Sequence, residues 1–204
     1  TQIETAELLA DLAIGGKTSW PTLLESERIL IVSEAGMGKT YECRRQQQWL
    51  WGEGRSAFFM ELTALATDPL ERQLSTEEKQ RFDNWKAAQT ERAFFFLDSI
   101  DELKLTQRSF ETTLKQFAAA LGDKLERACI VLTTRPTAFD LSIVRRWLPV
   151  RPPPEVFVPE EYFANVAMSV NKEKPVKRLT PEWRFVALSA LDEKQMRVLA
   201  AAQG

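Results

Sequence analysis

The sequence predicts an α/β fold with a mainly parallel, five-stranded sheet flanked by helices. Two observations carry this prediction. Short runs that are apolar at every position alternate along the chain with longer segments whose apolar residues recur at helical spacing. A strand that is apolar on both sides is typical of a sheet covered on both faces, and parallel strands need the intervening helices as crossovers. The predicted architecture therefore has three layers, with the sheet in the middle.

The predicted strands are the apolar runs at residues 29–32, 57–62, 93–97, 129–133 and 185–188. A weak helix is expected over residues 1–11, and a loop through Gly15, Gly16 and Pro21 leads from it to the first strand. A helix is predicted over residues 39–51, and Gly52 and Gly54 end it.

Helices are also predicted between the later strands. The sequence Ser75-Thr76-Glu77-Glu78 matches a capping box and should open a helix, and a strongly amphipathic helix is expected over residues 106–121. Asp140 is expected to cap a short helix through Trp147, and Asp192 a last helix that ends near Ala202. The proline-rich stretch 149–181 is predicted to be poor in regular structure.

The composition is that of a soluble globular protein and excludes several classes of function. The 204 residues are 44% hydrophobic and 27% charged, and the net charge of −2 gives no strong attraction for nucleic acid or anionic membranes. The apolar run at 93–97 is far shorter than the roughly 20 residues that span a bilayer, and no secretory signal opens the chain. Because the chain starts at Thr1 without Met and stops after a helix-like segment, we expect a fragment of a longer protein. The expected lack of a disulfide indicates a reducing compartment, and a cytoplasmic location is predicted.

The cysteine and histidine content limits the chemistry further. The chain has no histidine, which excludes Ser/His and Cys/His catalysis and any His-ligated metal. The two cysteines, Cys43 and Cys129, lie in predicted apolar elements and are expected to be small buried residues rather than a disulfide.

The stretch after the first predicted strand reads SEAGMGKT, from Ser33 to Thr40. A strand, a loop of small residues, a Lys and a Thr, and then a helix is the arrangement in which backbone N–H groups bind the phosphates of a nucleotide. Lys39 would reach the β- and γ-phosphates, and the Thr40 hydroxyl would ligate Mg²⁺. The sequence has Ser33 where the full G-x-x-x-x-G-K-[ST] pattern has its first glycine. The residues expected to bind the nucleotide are Glu34, Ala35, Gly36, Met37, Gly38, Lys39 and Thr40. The simpler interpretation is a glycine-rich turn that only joins a strand to a helix.

Acidic residues follow the third predicted strand, in the sequence FFFLDSIDE. An acid at the carboxyl end of a buried parallel strand lies where such sheets bind ligands, so Asp98 is expected to hold Mg²⁺ opposite Thr40. Asp101 or Glu102 could orient or deprotonate the attacking water, and Glu102 is preferred. The alternative is an acidic helix start that the helix dipole stabilises.

The fourth predicted strand ends in Thr133-Thr134-Arg135-Pro136. If this strand lies between the first strand and the Asp98 strand, Arg135 emerges beside the terminal phosphate, and its planar guanidinium matches phosphate oxygens. Otherwise Arg135 is a surface residue at a strand end.

Together these three pieces resemble the NACHT family of STAND-type P-loop ATPases, on EAGMGKT, FFFLDSIDEL and IVLTTRP. The most specific feature is the small residue Ser99 directly after the acid, with Asp101-Glu102 just beyond. The spacing matches over about residues 28–136, and residues 184–195 look like the last strand and helix of that family. The resemblance implies an ASCE-type P-loop fold and one NACHT-like domain over residues 1–204, with a core from about residue 22 and a segment 1–21 leading in.

The resemblance also implies a function. STAND proteins are multidomain switches in antiviral defence, immunity or signalling, in which ATP or ADP with Mg²⁺ controls oligomerisation and an effector, and a trigger opens the protein. The chain is then the nucleotide-binding part of a homo-oligomer whose protein trigger is unknown, with slow ATP hydrolysis in isolation. Nucleic acid is not an expected partner of this domain.

Two other classes remain open. An AAA+ remodelling or DNA-associated motor ATPase shares the phosphate loop and an arginine such as Arg135. A non-catalytic interaction module would bind nucleotide structurally or not at all, with the tryptophans Trp49, Trp51, Trp85 and Trp147 packed in or near the core. The exposed pair Arg145-Arg146 could contact another subunit or simply be solvated. A GTPase is disfavoured because Asn171-Lys172-Glu173-Lys174 has Lys where a guanine-reading Asp is needed.

Overall fold

All strand pairings in the described part of the chain are parallel. The computed structural model describes residues 18–98, 107–135, 140–151 and 183–188. Its five strands form one sheet in the order β2-β3-β4-β1-β5. In chain order they are β1 (Arg28–Val32), β2 (Ser56–Glu61), β3 (Ala93–Asp98), β4 (Ala128–Thr134) and β5 (Arg184–Ala187). The prediction of a parallel five-stranded sheet is confirmed.

Seven described α-helices and one 3₁₀ helix connect these strands. The helices are α1 (Trp20–Leu23), α2 (Lys39–Gly52), α3 (Leu62–Leu65), α4 (Leu70–Gln73), α5 (Thr76–Ala87), α6 (Gln107–Leu121) and α7 (Leu141–Trp147), with the 3₁₀ helix at Gly122–Arg127. None of these described helices has the length and apolarity needed to cross a bilayer.

Alternate residues of the strands pack on opposite faces of the sheet, as the twofold repeat of a strand requires. Ile29 and Ile31 of β1 belong to one apolar cluster, together with Cys43 and Leu50 of α2. The β1 residues between and after them, Leu30 and Val32, belong to the other cluster, which includes buried residues of α5, α6 and α7. The sheet therefore has helices on both faces, which explains why its inner strands are apolar at almost every position.

The second of these clusters has an aromatic centre at Phe95. The ring of Phe95 is fully buried, with centroid distances of 5.2 Å to Phe58, 5.4 Å to Trp85 and 5.6 Å to Phe117. Burial of an aromatic ring stabilises the fold by about 2–3 kcal/mol, and edge-to-face contacts add to it. These rings join β2 and β3 to α5 and α6, and so secure the strand that carries Asp98.

Two of the predicted helix caps are present. The Ser75 hydroxyl accepts a hydrogen bond from the Glu78 N–H, and the Glu78 carboxylate accepts one from the Ser75 N–H, which completes the capping box of α5. Asp140 accepts from the N–H of Ser142 and so caps α7.

A buried arginine secures the amino end of the sheet. Arg28 is 1% exposed, and its guanidinium donates to the carbonyl oxygens of Ala128 at 2.5 Å, Leu125 at 3.1 Å and Leu148 at 3.3 Å. Burial lowers the pKa of Arg28 to about 10. Since this group ties β1 to the start of β4, to the 3₁₀ helix and to the residue after α7, its role is to hold these elements together rather than to take part in the chemistry at the other edge.

Several details differ from the sequence predictions. Pro21 lies in the first turn of α1 rather than in a loop, because proline has the φ angle that a helix start requires. The short helices α3 and α4 and the 3₁₀ helix were not predicted, since segments of four to six residues contain too little pattern to be recognised. The predicted helices at 1–11 and 192–202, and most of the proline-rich stretch, lie outside the described residues.

The prediction that the tryptophans pack in or near the core is right for three and wrong for one. Trp85 is fully buried, and Trp51 and Trp147 pack against the core from its border. Trp49 is 52% exposed, because its position on α2 points away from the sheet.

Candidate functional site at the carboxyl edge of the sheet

The loop from Ser33 to Gly38 connects β1 to α2 and has a backbone that only glycine adopts easily at two places. Gly36 has a φ of 76° and Gly38 a φ of 85°, in the left-handed region. A Cβ atom at either position would meet nothing within 4 Å. The glycines are therefore required by the backbone conformation and not by a lack of space.

Helix α2 begins at Lys39, directly after this loop. Its N-cap residue, Gly38, has no side chain to bond the free N–H groups of the first turn, and the structure has no side-chain cap there. The aligned peptide dipoles of this 14-residue helix leave a partial positive charge at its amino end. Free N–H groups and a positive helix end at a glycine-rich loop are suited to an anion such as phosphate.

Lys39 closes the loop on itself. The side chain is 9% exposed, and its ammonium nitrogen lies 2.6 Å from the carbonyl oxygen of Ser33 and 3.0 Å from that of Glu34. These contacts use two of the three ammonium hydrogens. The positive charge is thus held at the loop by two of its own carbonyl oxygens.

Asp98 is the last residue of β3 and makes two short hydrogen bonds to hydroxyl groups. The Thr40 hydroxyl donates to Oδ2 of Asp98 at 2.5 Å, and the Thr133 hydroxyl donates to Oδ1 at 2.5 Å. Asp98 is only 2% exposed, so these hydroxyls replace the water that a free carboxylate would bind. The contact brings together the two residues, Thr40 and Asp98, that the sequence analysis selected as Mg²⁺ ligands. Hydroxyl and carboxylate oxygens are ligands that Mg²⁺ prefers.

Arg135 follows the carboxyl end of β4, which lies between β1 and β3 in the sheet. This is the strand order that the predicted role of Arg135 required. The N–H of Ser33 donates to the carbonyl of Thr134 at 3.1 Å, so the start of the loop is bonded to the residue just before Arg135. Arg135 is partly exposed. The sheet therefore places this guanidinium-bearing residue at the same edge as Lys39 and Asp98.

Ser33, in the place of the first glycine of the pattern, is the residue whose buried side-chain oxygen has no hydrogen-bond partner in the described part of the chain. Its side chain is accommodated at 7% exposure. The missing glycine therefore does not prevent the loop from closing around Lys39.

Two residues at this edge were not identified as site residues from the sequence. Thr133 was read only as part of a polar strand end, although in the sheet it contacts Asp98 directly. Glu61 ends β2 and pairs in register with Asp98; it is exposed and bonded to Arg44 of α2 at 3.0 Å. Knowledge of the strand order would have identified both residues. That order depends on tertiary packing and not on a local sequence pattern.

Asp101 and Glu102, the candidates for the residue that activates water, lie outside the described residues.

The basic pair Arg145-Arg146 was a candidate for contact with another subunit. The Arg146 guanidinium bonds to the Glu111 carboxylate at 3.2 Å, so this residue makes a contact within the chain.

The two cysteines are free and buried, as predicted. Burial, reinforced by the nearby Asp98 carboxylate, raises the pKa of the Cys43 thiol far above its usual value. Burial likewise raises the pKa of Cys129 to about 11. Both thiols therefore stay protonated and unreactive near neutral pH.

The described residues thus define an α/β protein with a helix-flanked parallel sheet and a cluster of ammonium, hydroxyl and carboxylate groups at its carboxyl edge. No protein-family model matches the sequence, and a search of curated proteins gives no significant match.

Proposed function

We propose that this chain binds ATP or ADP with Mg²⁺ at the carboxyl edge of the sheet and hydrolyses ATP as the switch domain of a NACHT-type STAND protein. The observation that carries the proposal is the hydrogen bond of 2.5 Å between Thr40 and Asp98, next to a loop closed by Lys39. This bond joins the two proposed metal ligands, one on α2 and the other at the end of β3. The family assignment itself rests on the three sequence motifs.

The loop and the start of α2 would bind the phosphates. Backbone N–H groups of residues 34–40 and the helix dipole supply the anion site, and the Lys39 ammonium supplies a full positive charge beside it. Residues 34 to 36 are exposed in the structure, so a phosphate chain can reach them.

Thr40 and Asp98 would hold Mg²⁺, the hydroxyl directly and the carboxylate through water. When bound, Mg²⁺ would neutralise charge on the phosphate oxygens. The Thr40 hydroxyl can keep donating its hydrogen to Asp98 while its oxygen lone pair serves as a ligand, so the pair needs little rearrangement. The residues present therefore fit the ion.

For hydrolysis, Glu102, or otherwise Asp101, would orient or deprotonate the attacking water, and Arg135 would stabilise negative charge on the terminal phosphate. The bond that forms joins the water oxygen to the γ-phosphorus, and the bond that breaks is the one to the bridging oxygen of ADP. ATP-driven oligomerisation and effector control belong to the longer protein from which we expect this domain to come.

The test is nucleotide binding by the chain with and without Mg²⁺, measured by isothermal titration calorimetry with ATP and ADP. Lys39→Ala should abolish binding, because it removes both the charge and the contacts that close the loop. Lys79→Ala, which alters an exposed lysine on α5, is the matched control and should bind as the unmodified chain does. Equal ATP affinity for the two variants would refute the site.

Hydrolysis separates the proposed switch from the other classes. Phosphate release in the presence of ATP and Mg²⁺ should be slow but measurable, and double-stranded DNA should not accelerate it. Stimulation by DNA would favour a motor ATPase, and binding without any phosphate release by the full-length protein would favour a non-catalytic module.

A further inference from the structure

We infer that Thr133 is a positioning residue for the Mg²⁺ site, which it serves by fixing the orientation of the Asp98 carboxylate. The inference rests on the proposed function, because it concerns how the same site binds its metal. It concerns a residue that would not itself touch the metal or the nucleotide.

The register of the sheet brings Thr133 to Asp98. Leu97 of β3 pairs with Leu132 of β4, so Asp98 and Thr133 are the next residues of two neighbouring strands. The hydroxyl of Thr133 lies 2.5 Å from Oδ1 of Asp98, and Thr133 is fully buried. A hydroxyl bonded to a carboxylate at this distance is a charge-assisted hydrogen bond, about twice as strong as one between neutral groups.

The two threonines bond to different oxygens of the Asp98 carboxylate. Thr133 bonds Oδ1 and Thr40 bonds Oδ2, so neither oxygen lacks a donor. The torsion that rotates a carboxylate about its last bond has a broad, shallow preference, so contacts to both oxygens are needed to fix its plane. Each oxygen has lone-pair capacity for more than one donor, and therefore both can still accept a hydrogen bond from metal-bound water.

The positions of the two threonines give them different roles. Thr40 stands at the exposed start of α2, beside the phosphate loop, and can reach a ligand. Thr133 is on the strand between β1 and β3 and reaches the site through Asp98. Loss of the Thr133 hydroxyl should therefore remove a contact to the acid that holds the metal and leave the Lys39 contacts of the phosphate loop in place.

The experiment measures ATP binding as a function of Mg²⁺ concentration for four variants. Thr133→Val keeps the shape and removes the hydroxyl, Thr133→Ser keeps the hydroxyl, and Thr133→Cys supplies a weaker donor. Thr113→Val is the control, because Thr113 is equally buried at 2% exposure but bonds to the Ser109 carbonyl within α6.

We expect Thr133→Val to raise the Mg²⁺ concentration at half-saturation about tenfold, as the loss of a residue that orients a metal ligand commonly does. Thr133→Ser and Thr113→Val should match the unmodified chain, and Thr133→Cys should lie between Ser and Val. ATP binding in EDTA should be the same for all of them, which a general structural defect would not allow. Thr133→Cys keeps the test valid if the valine variant does not fold.

The outcomes distinguish this inference from the proposed function. If the unmodified chain binds no nucleotide in Mg²⁺, the proposed function fails and this inference fails with it. If it binds Mg²⁺-ATP but the valine and cysteine variants need no more Mg²⁺ than it does, the proposed function stands and the role of Thr133 is refuted.

Discussion

The Thr40 hydroxyl lies 2.5 Å from the Asp98 carboxylate, although the two residues are 58 positions apart in the chain. Thr40 lies in the first turn of the helix after the glycine-rich loop, and Asp98 ends β3, which is two places from β1 in the sheet. Their contact depends on the placement of α2 over the sheet, where Cys43 and Leu50 pack against β1 and β3. The geometry of the candidate site is therefore a consequence of how the core packs.

Replacement of Asp98 by Asn should remove the Mg²⁺ dependence of ATP binding. Asparagine has nearly the same shape, but it has one acceptor oxygen where Asp98 uses two, and it has no negative charge to hold a divalent cation. Calorimetric titrations with and without Mg²⁺ would then give similar ATP affinities. Asp83→Asn, at an exposed position of α5, should retain the full Mg²⁺ effect, and an equal Mg²⁺ effect in the Asp98 variant would contradict the assignment.

Replacement of Arg135 by Ala should weaken ATP binding more than ADP binding. A guanidinium near the terminal phosphate adds a charge-assisted hydrogen bond that ADP cannot accept, and such a bond contributes about 1.5–3 kcal/mol. Parallel titrations with the two nucleotides measure the difference. Arg145→Ala, at an exposed position of α7, serves as the control. Equal losses for both nucleotides would remove the γ-phosphate role.

Replacement of Gly38 by Ala should impair the phosphate loop, because Gly38 has a φ of 85°. A side chain in the left-handed region costs about 1–2 kcal/mol, which either lowers the free energy of unfolding or distorts the loop. We expect a lower thermal midpoint, weaker ATP binding, or both. Gly52→Ala is the matched control, since Gly52 lies at the end of α2 without a positive φ and should be neutral or slightly stabilising. Equal thermal midpoints and equal ATP affinities for the two variants would contradict the left-handed conformation of Gly38.

Replacement of Arg28 by Met should destabilise the fold without a specific effect on the site. Methionine fills much of the space but leaves buried carbonyl oxygens without their donor, at about 1–3 kcal/mol for each group left unsatisfied. Urea unfolding should show a loss of at least about 2 kcal/mol. Arg72→Met, at an exposed position of α4, should change stability little. An unchanged midpoint for the Arg28 variant would mean that its hydrogen bonds contribute no net stability.

The buried thiols should make the protein less stable at alkaline pH. Burial raises the pKa of Cys129 to about 11, so the unfolded chain releases this proton at a lower pH than the folded protein does. The stabilisation is fully present below the unfolded pKa of about 8.5 and is lost as pH rises from there towards 11. Unfolding free energies measured from pH 8 to 11 should fall less steeply for a Cys43→Ala, Cys129→Ala double variant. Equal slopes would contradict buried, protonated thiols.

The apolar runs were sufficient to locate all five described strands to within one residue at each end, because strands covered on both faces contain almost no polar residues. The capping box at Ser75 and the cap at Asp140 were equally predictable, since each is a contact between residues close in sequence. Short helices such as α3, and the exposure of Trp49, were not predictable. A segment of four residues contains too little pattern to be recognised, and the exposure of Trp49 depends on which side of α2 faces the sheet.

The chemistry of the candidate site was determined by the sequence alone. The sequence has glycines at 36 and 38, then a lysine and a threonine, and an acid at the end of a buried strand. These residue types supply the groups that bind a phosphate and a metal. Only the tertiary structure decided that β4 lies between β1 and β3, and therefore that Thr133 bonds to Asp98. The reason is physical: residue types and local spacing act within a few positions of the chain, whereas strand order is set by how two apolar faces of a whole sheet are covered.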